Sequence, residues 1–126
     1  MASEVVQRGR EAWDRLKCGS RSWDDWLLVG VALIEARAIA MRNGGTTNPA
    51  GPGYAHALNR FLLEHRLNLP LSDRAKLLVI MGRMPEIERW RATLSEAKRS
   101  RINSPGAMLA NFRKATAPHM HLRHEP

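Results

Sequence analysis

The sequence predicts an all-α protein, a compact single-domain bundle of five to six helices. Apolar residues recur at three- and four-residue intervals along most of the 126-residue chain, as they do in amphipathic helices. Ser, Pro and Gly stand where helices begin and end, and no stretch shows β alternation between hairpin turns. We expect residues 1–115 to form one helical domain and residues 116–126 to be a disordered tail.

The first two predicted helices occupy the N-terminal third of the chain. The first runs from its cap, Ser3, to about Lys17. The second opens at Ser22, and Asp25 three residues later approximates a capping box with Asp in place of Glu. Its apolar residues cover more than one face, so we expect this helix to lie at the centre of the fold. Its end is predicted at Asn43, where two glycines follow.

A loop rich in Gly, Pro, Thr and Asn, residues 43–53, separates this pair from the remaining helices. Polar caps and prolines mark the starts of several of these helices. We predict one helix over residues 54–66, one capped by Ser72 and Asp73, one opened by Pro85 and running to Arg101, and one capped by Ser104 with Pro105 in its first position.

Several classes of protein are not indicated by the sequence. A single cysteine, Cys18, excludes an internal disulfide and a multi-thiolate zinc site. The N-terminus does not resemble a signal peptide, and the longest apolar stretch, residues 26–34, is too short to span a bilayer. These features predict a cytoplasmic protein that is not inserted in a membrane.

Catalytic motifs are also missing from the sequence. It contains no Gly-x-Ser-x-Gly and no His-Glu-x-x-His, and its glycine-rich loop lacks the Lys-Ser/Thr ending of a phosphate-binding loop. Asp24 and Asp25 are adjacent at a helix start and point about 100° apart, so they do not converge on one substrate. We therefore predict no enzymatic activity, no catalytic residues, no cofactor and no metal.

Positive charge is concentrated in the C-terminal part of the chain. The net charge is +8, and residues 1–53 hold seven Lys and Arg against six Asp and Glu, whereas residues 54–126 hold thirteen against six. Such a basic half attracts polyanions. Nucleic acid is the partner that this pattern favours, and we expect DNA over RNA.

Residues 54–84 have the layout of a helix-turn-helix, in which the start of the second helix enters the major groove. In this interpretation Arg74 contacts guanine and Lys76 contacts phosphate. An alternative is that the second helix is buried, because residues 77–81 are all apolar. Asp73 would also repel phosphate.

A second candidate site is a basic strip over residues 89–114, where seven bases accompany one acid, Glu96. If the apolar residues of this helix face inward, Arg91 and Lys98 share its outer face. Bases near a helix end also complement the helix dipole, which is the alternative explanation for residues 98–101. Asn103 beside the strip either bonds an adenine edge or ends the helix. The predicted phosphate contacts are Arg74, Lys76, Arg89, Arg91, Lys98, Arg99 and Arg101.

Tryptophan and histidine offer two further interpretations. The four tryptophans occupy apolar periodic positions, which indicates core packing more than base stacking. His119, His121 and His124 have a spacing that a transition metal accepts, but no second ligand pair anchors them. Solvated histidines are the interpretation that we favour.

The run from Trp23 to about Phe112 resembles a group of small, uncharacterised helical proteins from bacterial plasmids, prophages and conjugative elements. The resemblance is carried by Trp23-x-x-Trp26-x-x-x-Gly30-x-Ala32-Leu33-x-Glu35-Ala36-Arg37, Gly53-Tyr54, Arg74-Ala75, Trp90-Arg91-x-Thr93-Leu94 and Asn103-Ser104-Pro105. Accessory proteins of this kind are thought to bind DNA. The resemblance implies a helix-turn-helix-like core and no catalytic residues.

Together these features predict a non-enzymatic DNA-binding accessory or regulatory protein of a mobile genetic element. The alternative is a protein-binding module, an adaptor, antiactivator or phage-type inhibitor, which uses the basic face against a partner protein. A homodimer is compatible with the first hypothesis.

Overall fold

The computed structural model describes residues 3–117, and within this range the chain forms seven helices and no strands. The all-α prediction is confirmed, with one helix more than the upper end of the predicted range. Met1, Ala2 and residues 118–126, including the three histidines of the tail, lie outside the described residues. The helices are α1 (Glu4–Lys17), α2 (Trp23–Asn43), α3 (Pro52–Glu64), α4 (Leu71–Gly82), α5 (Met84–Arg91), α6 (Glu96–Arg101) and α7 (Pro105–Ala115).

Helices α1 and α2 form a hairpin whose predicted caps are confirmed. The Ser3 hydroxyl accepts a hydrogen bond from the Val6 amide at 3.1 Å, and the Ser22 hydroxyl accepts one from the Asp25 amide at 3.3 Å. Ser3 also donates to Glu35, so its hydroxyl links the start of α1 to the middle of α2. Each cap satisfies an amide that the first helical turn leaves without a partner.

The capping box predicted at Asp25 does not form. The Ser22 amide donates to the Ser20 hydroxyl at 3.2 Å, and the buried Asp25 carboxylate instead accepts hydrogen bonds from Arg15 and Ser20, each at 2.8 Å. A box requires the longer side chain of Glu or Gln to reach back to the cap amide. Asp25 therefore ties the end of α1 to the start of α2.

Helix α2 is the central helix, as predicted, because α1, α3 and α4 all pack against it. One hydrophobic cluster lies between α1, α2 and α3 and includes Val29, Leu33 and Leu62. A second cluster joins the start of α2 to the C-terminal helices. Its buried residues are Trp23, Ile80, Ile87, Met108, Leu109 and Phe112.

The connection between α3 and α4 departs from the sequence prediction at both ends. Helix α3 (Pro52–Glu64) begins and ends two residues earlier than the predicted helix over residues 54–66, and α4 begins at Leu71. The predicted cap at Ser72 and Asp73 is wrong, because both residues lie inside the first turn of α4. Pro70 has an extended backbone at the cap position and makes no side-chain cap hydrogen bond.

The predicted helix over residues 85–101 is also wrong, since residues 92–95 divide it into α5 and α6. The Thr93 hydroxyl donates to the Trp90 carbonyl at 2.6 Å, and the Ser95 hydroxyl accepts from the Lys98 amide at 3.2 Å. Side chains of Ser and Thr compete for backbone groups in this way and favour helix ends over helix interiors. Helix α7 begins after the predicted cap, Ser104, whose hydroxyl accepts from the Ala107 amide at 3.3 Å.

Candidate nucleic-acid interface

A groove lies between the α5–α6 segment and α7 near the C-terminal end of the described chain. Its volume is about 520 Å³, and no Asp or Glu lines it among residues 3–117. We call it the basic groove. It is lined by Trp90, Leu94, Lys98, Arg101, Ile102, Ala107, Asn111, Lys114 and Ala115.

The cations of the basic groove come from two different helices. Lys98 and Arg101 belong to α6, and Lys114 lies in the last turn of α7. The buried residues Met108 and Phe112 hold α7 in place, and the Phe112 ring packs edge-on against Trp90 with 5.6 Å between ring centroids. The break between α5 and α6 thus creates a cationic rim around a partly apolar floor.

A second depression, the arginine cleft, lies on the other side of α6 and has a volume of about 680 Å³. Unlike the basic groove it contains both signs of charge, with three arginines beside Asp24 and Glu96. Its lining residues are Arg21, Trp23, Asp24, Arg91, Glu96, Arg99, Ser100 and Asn103. The cleft is therefore less suited to phosphate than the basic groove.

Arg91 is half-buried and links the end of α5 to the residue that follows α6. Its guanidinium group lies 5.4 Å from the centroid of the Trp23 ring, and its Nη1 donates to the Ile102 carbonyl at 3.2 Å. Burial lowers the pKa of Arg91 below its ordinary value, because removal from water disfavours the charged form. The expectation that Arg91 and Lys98 share an outer face is wrong, because the helix break sends them to opposite sides of α6.

The two cations predicted on α4 already contact the protein. Arg74 is half-buried, its Nη1 donates to the Asn59 side chain at 2.9 Å, and its buried Nε has no hydrogen-bond partner in the described part of the chain. Burial lowers the pKa of Arg74 from its ordinary value. The Lys76 ammonium lies beside Gly106 in the first turn of α7. Arg74 is therefore not free to reach a DNA groove, whereas the Lys76 side chain is exposed on α4.

Five cations of α6 and α7 form no ion pair within residues 3–117, and three of them line the basic groove. In α1, by contrast, every base pairs with a carboxylate: Arg8 with Glu4, Arg10 and Lys17 with Asp14, and Arg15 with Asp25. The positive charge of α1 is thus locally compensated, whereas that of α6 and α7 is not. We define the α6–α7 basic surface as Lys98, Arg99, Arg101, Arg113 and Lys114, all of which are exposed.

The other residues singled out from the sequence, Arg89, Asn103 and the tryptophans, lie at different places in the fold. Arg89 is exposed on α5 and lines neither depression. The Asn103 side chain donates to the Ser100 carbonyl at 2.7 Å, so it ends α6 as the alternative interpretation expected. All four tryptophans pack in the two hydrophobic clusters. Trp90 also lines the basic groove, a second role that its periodic position did not indicate.

Helix α6 itself has no buried residue, and every residue in it is exposed. Hydrogen bonds hold its two ends: the Ser95 hydroxyl caps its start, and the Arg91 and Asn103 side chains donate to backbone carbonyls near its end. A helix of six residues is too short to be stable by itself in water. The cations of α6 therefore sit on the one helix of the described chain that has no buried residue.

Within residues 3–117, no group of three or more His, Cys, Asp and Glu side chains is placed to hold a metal ion. In the same range, no helix combines the length and the apolar character needed to cross a membrane.

No protein-family model matches the chain, and neither a curated protein nor a solved structure is significantly similar to it. The resemblance to small helical proteins of mobile elements therefore stays a prediction. The function of the chain is inferred from its own surface geometry and charge.

Proposed function

We propose that this chain is a non-enzymatic nucleic-acid-binding protein that contacts phosphates through the α6–α7 basic surface. One observation carries the proposal. Three exposed cations without an ion-pair partner among the described residues, Lys98, Arg101 and Lys114, line a groove with no acid in its described lining, and Arg99 and Arg113 lie exposed on the same two helices. A surface of this kind has an unbalanced positive potential that a polyanion neutralises.

Phosphate contact suits these side chains better than a structural role does. The helix-dipole explanation applies to the bases in the last turn of α6, but an exposed charge gains only about 0.3–1 kcal/mol from the dipole. That explanation also does not account for Lys114 of α7 lining the same groove as Lys98 and Arg101. Long cationic side chains on a poorly packed helix make contacts that position a nucleic-acid backbone and carry no sequence information. We therefore expect binding that is sensitive to salt and only weakly dependent on sequence.

The helix-turn-helix hypothesis for α3 and α4 is secondary, because α4 exposes fewer cations than the α6–α7 basic surface does. The exposed side chains along α4 include Ser72, Ala75, Lys76 and Val79, of which only Lys76 is charged. Arg74, the proposed guanine contact, is held by Asn59. We propose DNA over RNA as the ligand, and an accessory or regulatory role in a mobile element follows only if a specific DNA site is found.

The proposal is tested by fluorescence anisotropy with a random duplex of about 25 base pairs at about 50 and about 200 mM salt. Wild-type protein should bind at low salt and lose affinity by a factor of ten or more at high salt. The double substitution Lys98→Gln and Lys114→Gln should weaken binding at low salt at least about tenfold. The matched control, Arg8→Gln and Arg10→Gln, removes the same net charge from α1 and should bind like the wild type.

Two results would overturn the proposal. The first is absence of binding at low salt, and the second is an equal loss of affinity in the α6–α7 variant and the α1 control. In either case, tight binding of a poly-glutamate competitor would favour the alternative of an acidic protein partner. That partner would use the same cations but would not require a phosphate backbone.

A further inference from the structure

We propose that the basic groove holds an unpaired nucleobase, so that the protein binds single-stranded nucleic acid in preference to duplex. This inference rests on the proposed function, because the phosphates next to that base are bound by the same α6–α7 cations. It distinguishes single-stranded from double-stranded nucleic acid as the ligand, which net charge alone does not do.

The floor of the groove supplies the first argument. Apolar groups from Trp90, Leu94 and Ile102 lie between the cations of its rim, and each of the three side chains is partly accessible. A duplex presents phosphates and sugars outward and keeps its bases stacked inside, so it would leave this apolar floor in contact with water. An unpaired base covers the floor while its phosphates reach the rim, which is the combination that single-strand sites use.

The size and shape of the groove give a second argument. A volume of about 520 Å³ falls in the range of pockets that hold small organic ligands. A flat base fits in such a space, whereas a double helix lies only across its mouth. The three rim cations, Lys98, Arg101 and Lys114, come from both walls, so the backbone of a single strand is bound on either side of the base.

Asn111 adds a polar group of the appropriate kind. It lines the groove, and its Nδ2 donates to the Ala107 carbonyl at 2.7 Å, which fixes the amide and leaves Oδ1 as an acceptor. Amino and imino groups on the edge of an unpaired base donate to such an oxygen, and in a duplex these groups are engaged in base pairs. Carboxylate side chains have no donor for Oδ1, so an acidic peptide meets this acceptor only with a backbone amide, whereas an unpaired base meets it with its own edge.

The experiment compares a labelled oligothymidylate of about 20 nucleotides with a duplex of about 20 base pairs, using full-length protein. Ala115→Leu fills the groove from the exposed end of α7 without altering charge, and Ala110→Leu places the same side chain on α7 outside the groove lining. We expect wild type and Ala110→Leu to bind oligothymidylate about tenfold more tightly than duplex. Ala115→Leu should lose this preference and keep its duplex affinity.

A second readout locates the base directly. Ultraviolet crosslinking of oligo-5-bromodeoxyuridylate followed by peptide mapping should place the crosslink in the segment that contains Trp90, and Ala115→Leu should remove it. Equal wild-type affinities for the two nucleic acids, or a crosslink confined to other segments, would overturn the inference while leaving the proposed function intact. Absence of binding to both nucleic acids would instead overturn the proposed function. Poly-glutamate displacing oligothymidylate at equal charge concentration would assign the groove to an acidic protein.

Discussion

Gly9 of α1 packs directly against the methyl group of Ala32 in α2, with no room for a side chain between the two helices at this point. A Cβ atom added to Gly9 would overlap the Ala32 side chain and lie 3.2 Å from the Leu28 carbonyl oxygen. Because backbone atoms and a β-carbon cannot rotate away, α1 would have to shift. We expect Gly9→Ala to lower the free energy of unfolding by about 1–3 kcal/mol, measured by urea denaturation.

The control for this prediction is Gly82→Ala in the last turn of α4. A Cβ atom there meets nothing within 4 Å, so the substitution should be neutral or stabilise by up to about 1 kcal/mol through helix propensity. Equal unfolding free energies for the two variants would show that the α1–α2 contact is not close.

The ion pair between the buried Asp25 carboxylate and the exposed Arg15 guanidinium predicts that the protein is less stable in acid. Hydrogen bonds from Arg15 lower the pKa of Asp25 below its ordinary value of 3.8, and the Ser20 hydroxyl acts in the same direction against the opposing effect of burial. Because the pKa is lower in the folded state, the carboxylate stabilises the protein fully above pH 3.8, and this contribution disappears as the pH falls through the folded pKa. Thermal melting of wild type should show this decrease.

Asp25→Asn removes the charge and should cost about 1.5–3 kcal/mol at neutral pH, the usual value of a hydrogen bond to a charged group. Its melting temperature should also fall less than that of the wild type as the pH is lowered below 3.8, where the wild type loses the contribution of the Asp25 carboxylate. The exposed neighbour Asp24 provides the control, since Asp24→Asn should retain the acid-side decrease. An identical acid-side decrease in Asp25→Asn would assign that dependence to other carboxyl groups.

The parts of the fold that sequence predicted correctly are those set by local interactions. Ser3, Ser22 and Ser104 each cap the helix that follows them, because a cap needs only its own hydroxyl and an amide three residues away. The break at residues 92–95 was not predicted, because apolar residues continue at helical spacing into it, from Trp90 to Leu94. Periodicity records which residues are apolar and does not show that the backbone turns between them.

The candidate site was predicted in composition but not in arrangement. The bases of α6 were recognised as a group, and they are exposed and unpaired within the described residues. The contact of Arg91 with Trp23 and the approach of Lys114 to α6 depend on tertiary packing between segments far apart in the chain. No local spacing rule contains that information, so the basic groove was not anticipated.

Arg66 offers a way to stabilise the α3–α4 connection. It has a φ of 57°, in the left-handed region, and closes α3 with two hydrogen bonds, from its own amide to the Leu63 carbonyl and from the Leu67 amide to the Leu62 carbonyl. This Schellman arrangement normally places glycine at the left-handed position. Arg66→Gly should raise the free energy of unfolding by about 0.5–1 kcal/mol, because glycine adopts this conformation without strain.

Chemical denaturation checks the Arg66 prediction, with Arg66→Ala as the control. Alanine removes the same charge but keeps the Cβ atom, so Arg66→Ala should not be more stable than wild type. If both variants gain stability equally, the gain comes from loss of positive charge and not from relief of the backbone.

Arg91 should control the order of α6. Lysine at this position keeps the charge but loses the planar group over Trp23 and the directed hydrogen bond to Ile102. We expect Arg91→Lys to accelerate amide hydrogen exchange in α6 at least about threefold while exchange in α2 stays unchanged. Arg89→Lys, on the exposed side of α5, is the matched control, and equal exchange of α6 in the two variants would mean that Arg91 does not hold this helix.

The salt dependence of nucleic-acid binding should give the number of phosphate contacts made by the α6–α7 basic surface. Each phosphate neutralised contributes a slope of about 0.7–0.9 in a plot of log affinity against log salt concentration, with the smaller value for single strands. Removing Lys98 and Lys114 together should therefore reduce the slope by about 1.4–1.8. Neutral substitution of Arg8 and Arg10 should leave the slope unchanged, because carboxylates already neutralise both. A slope that falls equally for both pairs would indicate binding governed by total charge, with no defined phosphate-contact surface on α6 and α7.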